Sequence, residues 1–427
     1  MNTKYLIIGA SAAGLGVATK LRDLDPMGSI TCITAEAEMP YNRCLLADYL
    51  AGSKTIGGVC TKPQSFFDEK NITLMLNAEA MNLNAANKIV ALKNSQTITY
   101  EKLFIGTGRS GRVMPIPGAN ASGVFPFYDL RDAVAINNYV KQHNAQHAVV
   151  VGGGLSGLEC ADALAAQGLT IDLIHRNKHV LNHQLDAEGS AFLMALMQKK
   201  NVTVHTNTTV SEIAMNGSRA PLRETQGPQD DKKLPEFLSK KVILATSPCH
   251  PGAGLRSPGS IENSSITTDM VIFTLGGKIN SELAVQAHLT MHENGIVVDE
   301  NMQTSDPSIF AGGDVCAVND LLTNTRTQSC LWTDAVMQGL AAAYGMTGQQ
   351  RKYLGTLVVT SSNIYGITFV TCGPISNPPT HYTKTIETGE GFHHTYLFDG
   401  EKLKGFALVG AVDNIGALRK RVMDGLR

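Results

Sequence analysis

The chain has 427 residues, 43% hydrophobic and 17% charged, with a formal net charge of −1. That length supports two or three domains with their own cores, and a near-neutral balance without long basic runs gives no reason to expect nucleic acid or a membrane surface as partner. No run of about 18 uninterrupted apolar residues occurs, and Met1-Asn2-Thr3-Lys4 lacks a signal-peptide core, so a cytoplasmic protein is expected.

The first predicted elements form one unit. Tyr5-Leu6-Ile7-Ile8 reads as a short buried strand, Gly9 through Gly14 as a tight turn, and residues 15–24 as a helix. Such a turn aims free backbone N–H groups and the positive end of a helix dipole at one point, which suits a pyrophosphate. Gly9 and Gly14 occupy the outer positions of G-x-G-x-x-G; Ser11 replaces the middle glycine, and Ala13 lies inside the same turn. A second strand over residues 30–34 ends at Glu36, 22 residues past Gly14, where an acid can hold a ribose hydroxyl pair.

The run from Met39 to Gly52 follows, and a loop here would stand beside a nucleotide at the carboxyl ends of the strands. Residues 72–100 alternate like strands. Another buried strand then ends in Gly106-Thr107-Gly108, and Pro115, Pro117 and Gly118 mark the exit from a first domain. The second unit is cleaner: Ala148-Val149-Val150-Val151 leads into Gly152, Gly154 and Gly157 of a full G-x-G-x-x-G, then a helix over residues 158–167 and a strand over residues 170–174. Two nucleotide folds on one chain imply two dinucleotides brought face to face for hydride transfer. The last strand ends in His175-Arg176-Asn177-Lys178, where an NAD site places an acid. These basic groups suit a 2′-phosphate and hence NADP(H) over NAD(H); a solvated surface loop is the other reading.

Residues 216–269 are polar and broken by Pro and Gly, with a strand at residues 241–246 and no functional reading. Residues 270–275 resume the buried pattern. Ile309-Phe310-Ala311 then leads through Gly312 and Gly313 to Asp314, small residues that let a carboxylate at a strand end reach a ligand hydroxyl. A helix is expected over residues 332–344. Beyond Gly348, residues 356–372, 382–387 and 395–409 read as antiparallel strands, with a helix over residues 415–426, forming a small α+β domain. The eight cysteines contain no C-x-x-C pair, which encodes neither a zinc site nor a dithiol of that type, and no metal is expected.

In this order the pieces resemble the FAD-dependent pyridine nucleotide oxidoreductases, which include the rubredoxin and ferredoxin reductases, coenzyme A disulfide reductases, NADH oxidases and the flavin module of nitrite reductase. The resemblance rests on both Gly motifs, Gly106-Thr107-Gly108, the stretch from Thr304 to Asp314, and the C-terminal domain. It implies an α/β fold with two Rossmann-like domains, for FAD and NAD(P), and a small C-terminal α+β interface domain that pairs two copies. The expected division is residues 1–117 and 286–347 for FAD, 118–285 for NAD(P), and 348–427 for the interface. By the same resemblance Gly9, Ser11, Ala13, Gly14, Glu36, Arg43, Thr107, Gly108, Gly313 and Asp314 hold FAD. Gly152, Gly154, Gly157 and Glu159 hold the nicotinamide nucleotide, with Glu159 near the nicotinamide and flavin N5.

Pro40-Tyr41-Asn42-Arg43 resembles the electron-carrier reductases, but Cys44 falls where the coenzyme A disulfide reductases and NADH oxidases carry their redox cysteine. Asp48 stands where some relatives pair a Lys with the Glu matching Glu159. Cys44 is therefore either a filler of a small apolar gap or a thiolate made acidic by a helix start and Arg43. The expected activity is hydride transfer from NAD(P)H to FAD and onward transfer to a small redox protein or a small molecule. The alternatives are a disulfide, persulfide or oxygen reductase working through Cys44, and a redox-sensing flavin module with little turnover.

Overall fold

The computed structural model describes residues 1–198, 200–215, 239–246 and 264–426. Residues 216–238 and 247–263, most of the polar segment noted above, lie outside the described residues.

The first apolar run forms the strand Asn2–Ile8, whose last four residues are all buried, as expected of a strand covered on both faces. It pairs in parallel with Ile30–Ile33 on one side and Thr97–Ile105 on the other, and Ile72–Met75 lies outside Ile30–Ile33. Thr97–Ile105 is long enough to serve two neighbours. Its start pairs antiparallel with Ile89–Leu92 of a hairpin, and its end pairs in parallel with Ile309–Ala311 from much later in the chain. The helices Ala12–Leu24 and Trp332–Met346 pack over this sheet at backbone contact, for a Cβ on Gly339 would stand 2.3 Å from the Ala13 carbonyl oxygen.

The second sheet is parallel throughout, in the order Val202–His205, Thr170–Ile174, His147–Val151, Met270–Phe273, Val124–Pro126. A three-stranded antiparallel sheet (Thr208–Met215, Lys240–Thr246, Ser265–Thr268) packs on it through Val210, Ile213, Val242 and Leu244. Lys240 is fully buried at this seam, and its ammonium donates to Tyr139 Oη at 3.0 Å and to the Asp269 carbonyl at 2.8 Å. The chain crosses between the two large sheets where Arg109–Gly111 pairs antiparallel with Gly277–Ile279.

The C-terminal strands form an antiparallel sheet in the order Val359–Ile364, Ile367–Cys372, Lys402–Gly410, Phe392–Asp399, Thr383–Gly389, with the helix Ile415–Asp424 against Lys402–Gly410. The single run read over residues 356–372 is in fact a hairpin. Tyr365 (φ 55°) and Gly366 (φ 78°) make its turn, and a tyrosine in the left-handed region carries no turn signal in sequence. Nor does this unit stand apart. Ile364, Tyr365, Phe369 and Leu397 share one buried core with Leu46, Leu50 and Leu158.

Candidate active site between two glycine turns

Both glycine turns are imposed by backbone crowding. At the first, Gly9 has φ +103° and donates its N–H to Ile33 O at 2.8 Å, while a Cβ on Gly14 would lie 1.8 Å from the Gly9 carbonyl oxygen. The second repeats this: Gly152 has φ +126° and donates to Ile174 O at 2.9 Å, and a Cβ on Gly157 would lie 1.7 Å from Gly152 O. Ser11 is the N-cap of the first helix but makes no side-chain cap bond, so its hydroxyl is not spent on the helix. Gly154, N-cap of the second, would point a Cβ into open space.

A cleft of about 620 Å³ opens at the carboxyl ends of the first sheet. It brings together Gly9, Ser11, Ala13, Glu36, Arg43, Cys44, Thr107, Gly108, Gly313 and Asp314, while Gly14 stays behind the wall, packing helix on strand. Arg43 ion-pairs with Glu36, lies between the rings of Tyr41 (5.3 Å) and Tyr128 (5.6 Å), and donates to Tyr128 O at 3.3 Å. Thr107 donates its hydroxyl to Asn280 O at 2.7 Å and so braces the wall. Burial pushes the Asp314 carboxyl up in pKa, with Arg109 and Arg43 opposing. Sequence reasoning missed Glu38, Arg109, Tyr128, Cys330 and Trp332, which also line the cleft. None lies in a glycine motif, and only the folded chain brings them to it.

Cys44 departs from the acidic thiol considered above. It sits in the 3-10 turn Arg43–Leu45, and burial, then the charges of Glu159 and Asp314, push its thiol up. Cys44 is exposed, and it lines the cleft. Arg43 is meanwhile engaged with Glu36 and the two tyrosine rings. Glu159, whose charge reaches Cys44, lies on the helix Leu155–Ala166 and accepts a hydrogen bond from Ser362 Oγ at 2.7 Å. Burial raises its pKa, the Ser362 bond opposes, and Asp48 and Asp162 add to the rise. Asp48 thus faces Glu159 as a second acid.

His175 also departs from expectation. It is buried under the turn with its Nδ1 accepting from Gly153 N at 3.1 Å, and burial lowers its pKa. Residue 153 leaves room for it, since a Cβ there would lie 2.7 Å from the ring. Arg176 and Lys178 are exposed, and Lys178 lines a smaller cleft of about 320 Å³ with Ser376 and Lys384 of the C-terminal sheet. Among the described residues, no helix is long and apolar enough to cross a membrane, and no group of three or more His, Cys, Asp or Glu side chains could hold a metal ion.

Two dinucleotide folds with a cleft at the first fit an oxidoreductase that uses two nucleotides. The family model described as pyridine nucleotide-disulphide oxidoreductase matches residues 3–339, and the chain belongs to that family. It is an NAD(P)H-dependent FAD oxidoreductase. The chain is 25% identical to the NADH-rubredoxin oxidoreductase of Clostridium acetobutylicum, covering 99% of this chain and 95% of that one. The crystal structure of that enzyme superposes with a TM-score of 0.75 over 99% of this chain and 96% of that one. A NAD-dependent persulfide reductase from A. fulgidus, 25% identical, superposes with a TM-score of 0.82, covering 100% of this chain and 77% of that one. The assimilatory nitrate reductase electron transfer subunit of Bacillus subtilis (strain 168) is 27% identical over 99% of this chain, which spans only 49% of that relative.

The residues present fit FAD. Glu38 Oε2 is buried at the cleft without a partner, and Gly108 (φ +61°) turns its missing side chain toward open space, leaving a cradle that a ligand can fill. Bound there, FAD supplies hydride acceptance and onward electron transfer. Gly9, Ser11 and Ala13 would face its pyrophosphate, and Glu36 and Asp314 its hydroxyls.

Proposed function

We propose that this enzyme takes a hydride from NADPH and passes electrons to a small redox protein through the exposed edge of the flavin site, with Cys44 as wall and not as carrier. The observation that carries this reading is the state of Cys44, whose thiol is pushed up by burial and by Glu159 and Asp314, with Arg43 paired to Glu36. A thiol whose pKa is raised is less often the thiolate, the form that acts as nucleophile and electron donor. The rubredoxin oxidoreductase relative, matched over nearly its whole length, supports an electron-carrier acceptor. Arg176 and Lys178 support NADPH, each offering positive charge beyond the strand Thr170–Ile174. We further propose that the protein is cytoplasmic and that two copies pair through the C-terminal sheet.

An anaerobic dithionite titration tests the role of Cys44. Two electrons per FAD and an unchanged spectrum in Cys44→Ser are expected. Uptake beyond two electrons, with a long-wavelength charge-transfer band lost in Cys44→Ser, would establish the second reading, a disulfide or persulfide acceptor. The position of Cys44 on the cleft wall and the persulfide reductase relative favour that alternative.

A further inference from the structure

The turn of the hairpin formed by Val359–Ile364 and Ile367–Cys372 reaches out of the C-terminal sheet onto the helix Leu155–Ala166. It makes two polar contacts there. Ser362 Oγ donates to Glu159 Oε1 at 2.7 Å, and the Tyr365 backbone N–H donates to Asp162 Oδ2 at 2.8 Å. Ile364, fully buried, and Tyr365 anchor the turn in the core shared with Leu46, Leu50 and Leu158. The Ser362 bond joins residues 203 positions apart, so only a docked C-terminal sheet can make it.

We propose that Ser362 is a positioning residue for the redox face: its hydroxyl holds Glu159 as a carboxylate and fixes the orientation of that carboxylate. The inference deepens the proposed function and rests on Glu159 facing the nicotinamide nucleotide.

Among the described residues, burial, Asp48 and Asp162 all work against the charge of Glu159. Asp48 comes from the helix Leu46–Leu50, Asp162 lies one position short of a turn further along the same helix, and both are acids. Lys200 acts on Asp162, Cys160 is a buried thiol that Glu159 itself pushes up, and Tyr365 is a buried phenol beside Asp162. Cys44 feels the charge of Glu159 in turn. In this setting the Ser362 hydroxyl is the contact that favours the charged form of Glu159. A charge on Glu159 disfavours a thiolate at Cys44, and its loss would permit one. The C-terminal sheet therefore reports its docking to the electron-transfer site through a single hydrogen bond.

The test reads Glu159 directly. In the purified FAD-loaded protein, the carbonyl stretch of the protonated Glu159 carboxyl, identified by its loss in Glu159→Gln, is followed by infrared spectroscopy as pH is varied. A charge-assisted bond from a hydroxyl holds the ionised form by roughly one pH unit or more. Ser362→Ala is expected to move the midpoint up by that amount, and Ser362→Thr, which keeps the hydroxyl, to return it. The pH profile of flavin reduction by NADPH should shift by the same interval. An unmoved infrared midpoint in Ser362→Ala overturns the proposal, as does a midpoint that moves equally in Ser362→Thr with its flavin content intact. If instead Glu159→Gln is reduced by NADPH at the wild-type rate throughout the pH range, the placement of Glu159 at the nicotinamide fails, while the infrared midpoint still decides the role of Ser362.

Discussion

Gly14→Ala isolates the first glycine turn. The added Cβ would stand 1.8 Å from the Gly9 carbonyl oxygen, with the Gly9 carbonyl carbon at 2.9 Å and Ile7 Cγ2 at 3.3 Å; real Cβ atoms keep at least 3.0 Å from such neighbours. The start of the helix Ala12–Leu24 must therefore retreat by about 1.2 Å. A hydrogen bond of about 2.9 Å from a turn N–H to a phosphate oxygen stretches to about 4 Å on that displacement and ceases to be one. Losing two such charge-assisted bonds costs about 3–6 kcal/mol, or roughly two to four decades in FAD affinity. The same overpacking costs the fold only about 1–3 kcal/mol, so the protein should still fold while losing its colour. The assay is the ratio of flavin to protein after purification, followed by FAD titration of the deflavinated chain. Gly154→Ala serves as the control. Its Cβ meets nothing within 4 Å, so FAD binding should stay at the wild-type level while pyridine nucleotide binding weakens. FAD affinity in Gly14→Ala within tenfold of wild type would refute the reasoning.

Three further outcomes follow from the electrostatics. Burial works against the Asp172 carboxyl, but bonds from His147 (2.7 Å) and His205 (2.5 Å) hold it well below the usual carboxylate range. Because its folded pKa is the lower one, its contribution is present above about pH 4 and lost as pH falls further; Asp172→Asn should destabilise at neutral pH, with a deficit that shrinks in acid, as denaturant melts across pH will record. Lys240 is the converse case: burial pushes its ammonium down to about 8, so the unfolded chain binds the proton more tightly, and stability should rise with pH from about 8 to about 10.4. Lys240→Met should abolish that rise, and an unchanged slope would mean that water reaches the amine. For the nucleotide, Arg176→Ala should lower kcat/KM for NADPH by about one to two decades, the worth of one charge-assisted contact, and leave NADH use unaltered; equal losses with both nucleotides would place Arg176 away from the 2′-phosphate.

What was legible in the sequence is what the backbone dictates locally. Gly14 and Gly157 are required by the carbonyl oxygens of Gly9 and Gly152, five residues back, and Gly9 and Gly152 by their own positive φ, so strand, turn and helix could all be read from one short window, although Gly106 and Thr274, which also crowd Gly9 and Gly152, come from far along the chain. The cleft residues Gly313 and Asp314 were legible because small residues before an acid at a strand end form a local signal. The rest depended on long-range partners. Nothing near Arg43 in sequence announces that Tyr128, 85 positions on, will offer it both its ring and its carbonyl oxygen. His175 was read as a cation because the strand end it occupies is known from sequence, whereas the direction of its ring depends on Gly153 leaving space. The junction between Ser362 and Glu159 has no sequence signature at all.

The strand Ile309–Ala311 and the helix Trp332–Met346 belong to the same layer as residues 2–105, although the whole second sheet lies between them in the chain. During synthesis, the amino-terminal strands leave the ribosome first but lack the neighbour for the end of Thr97–Ile105 and the helix that packs on Ala12–Leu24. The second unit, continuous from residue 124 to residue 273, has all its strands as soon as it emerges. The second unit can thus complete its sheet before the first, although the first begins earlier in the chain. The flavin cradle closes only after residue 346 is available, and until then the end of Thr97–Ile105 lacks its neighbour Ile309–Ala311 and is an open sheet edge.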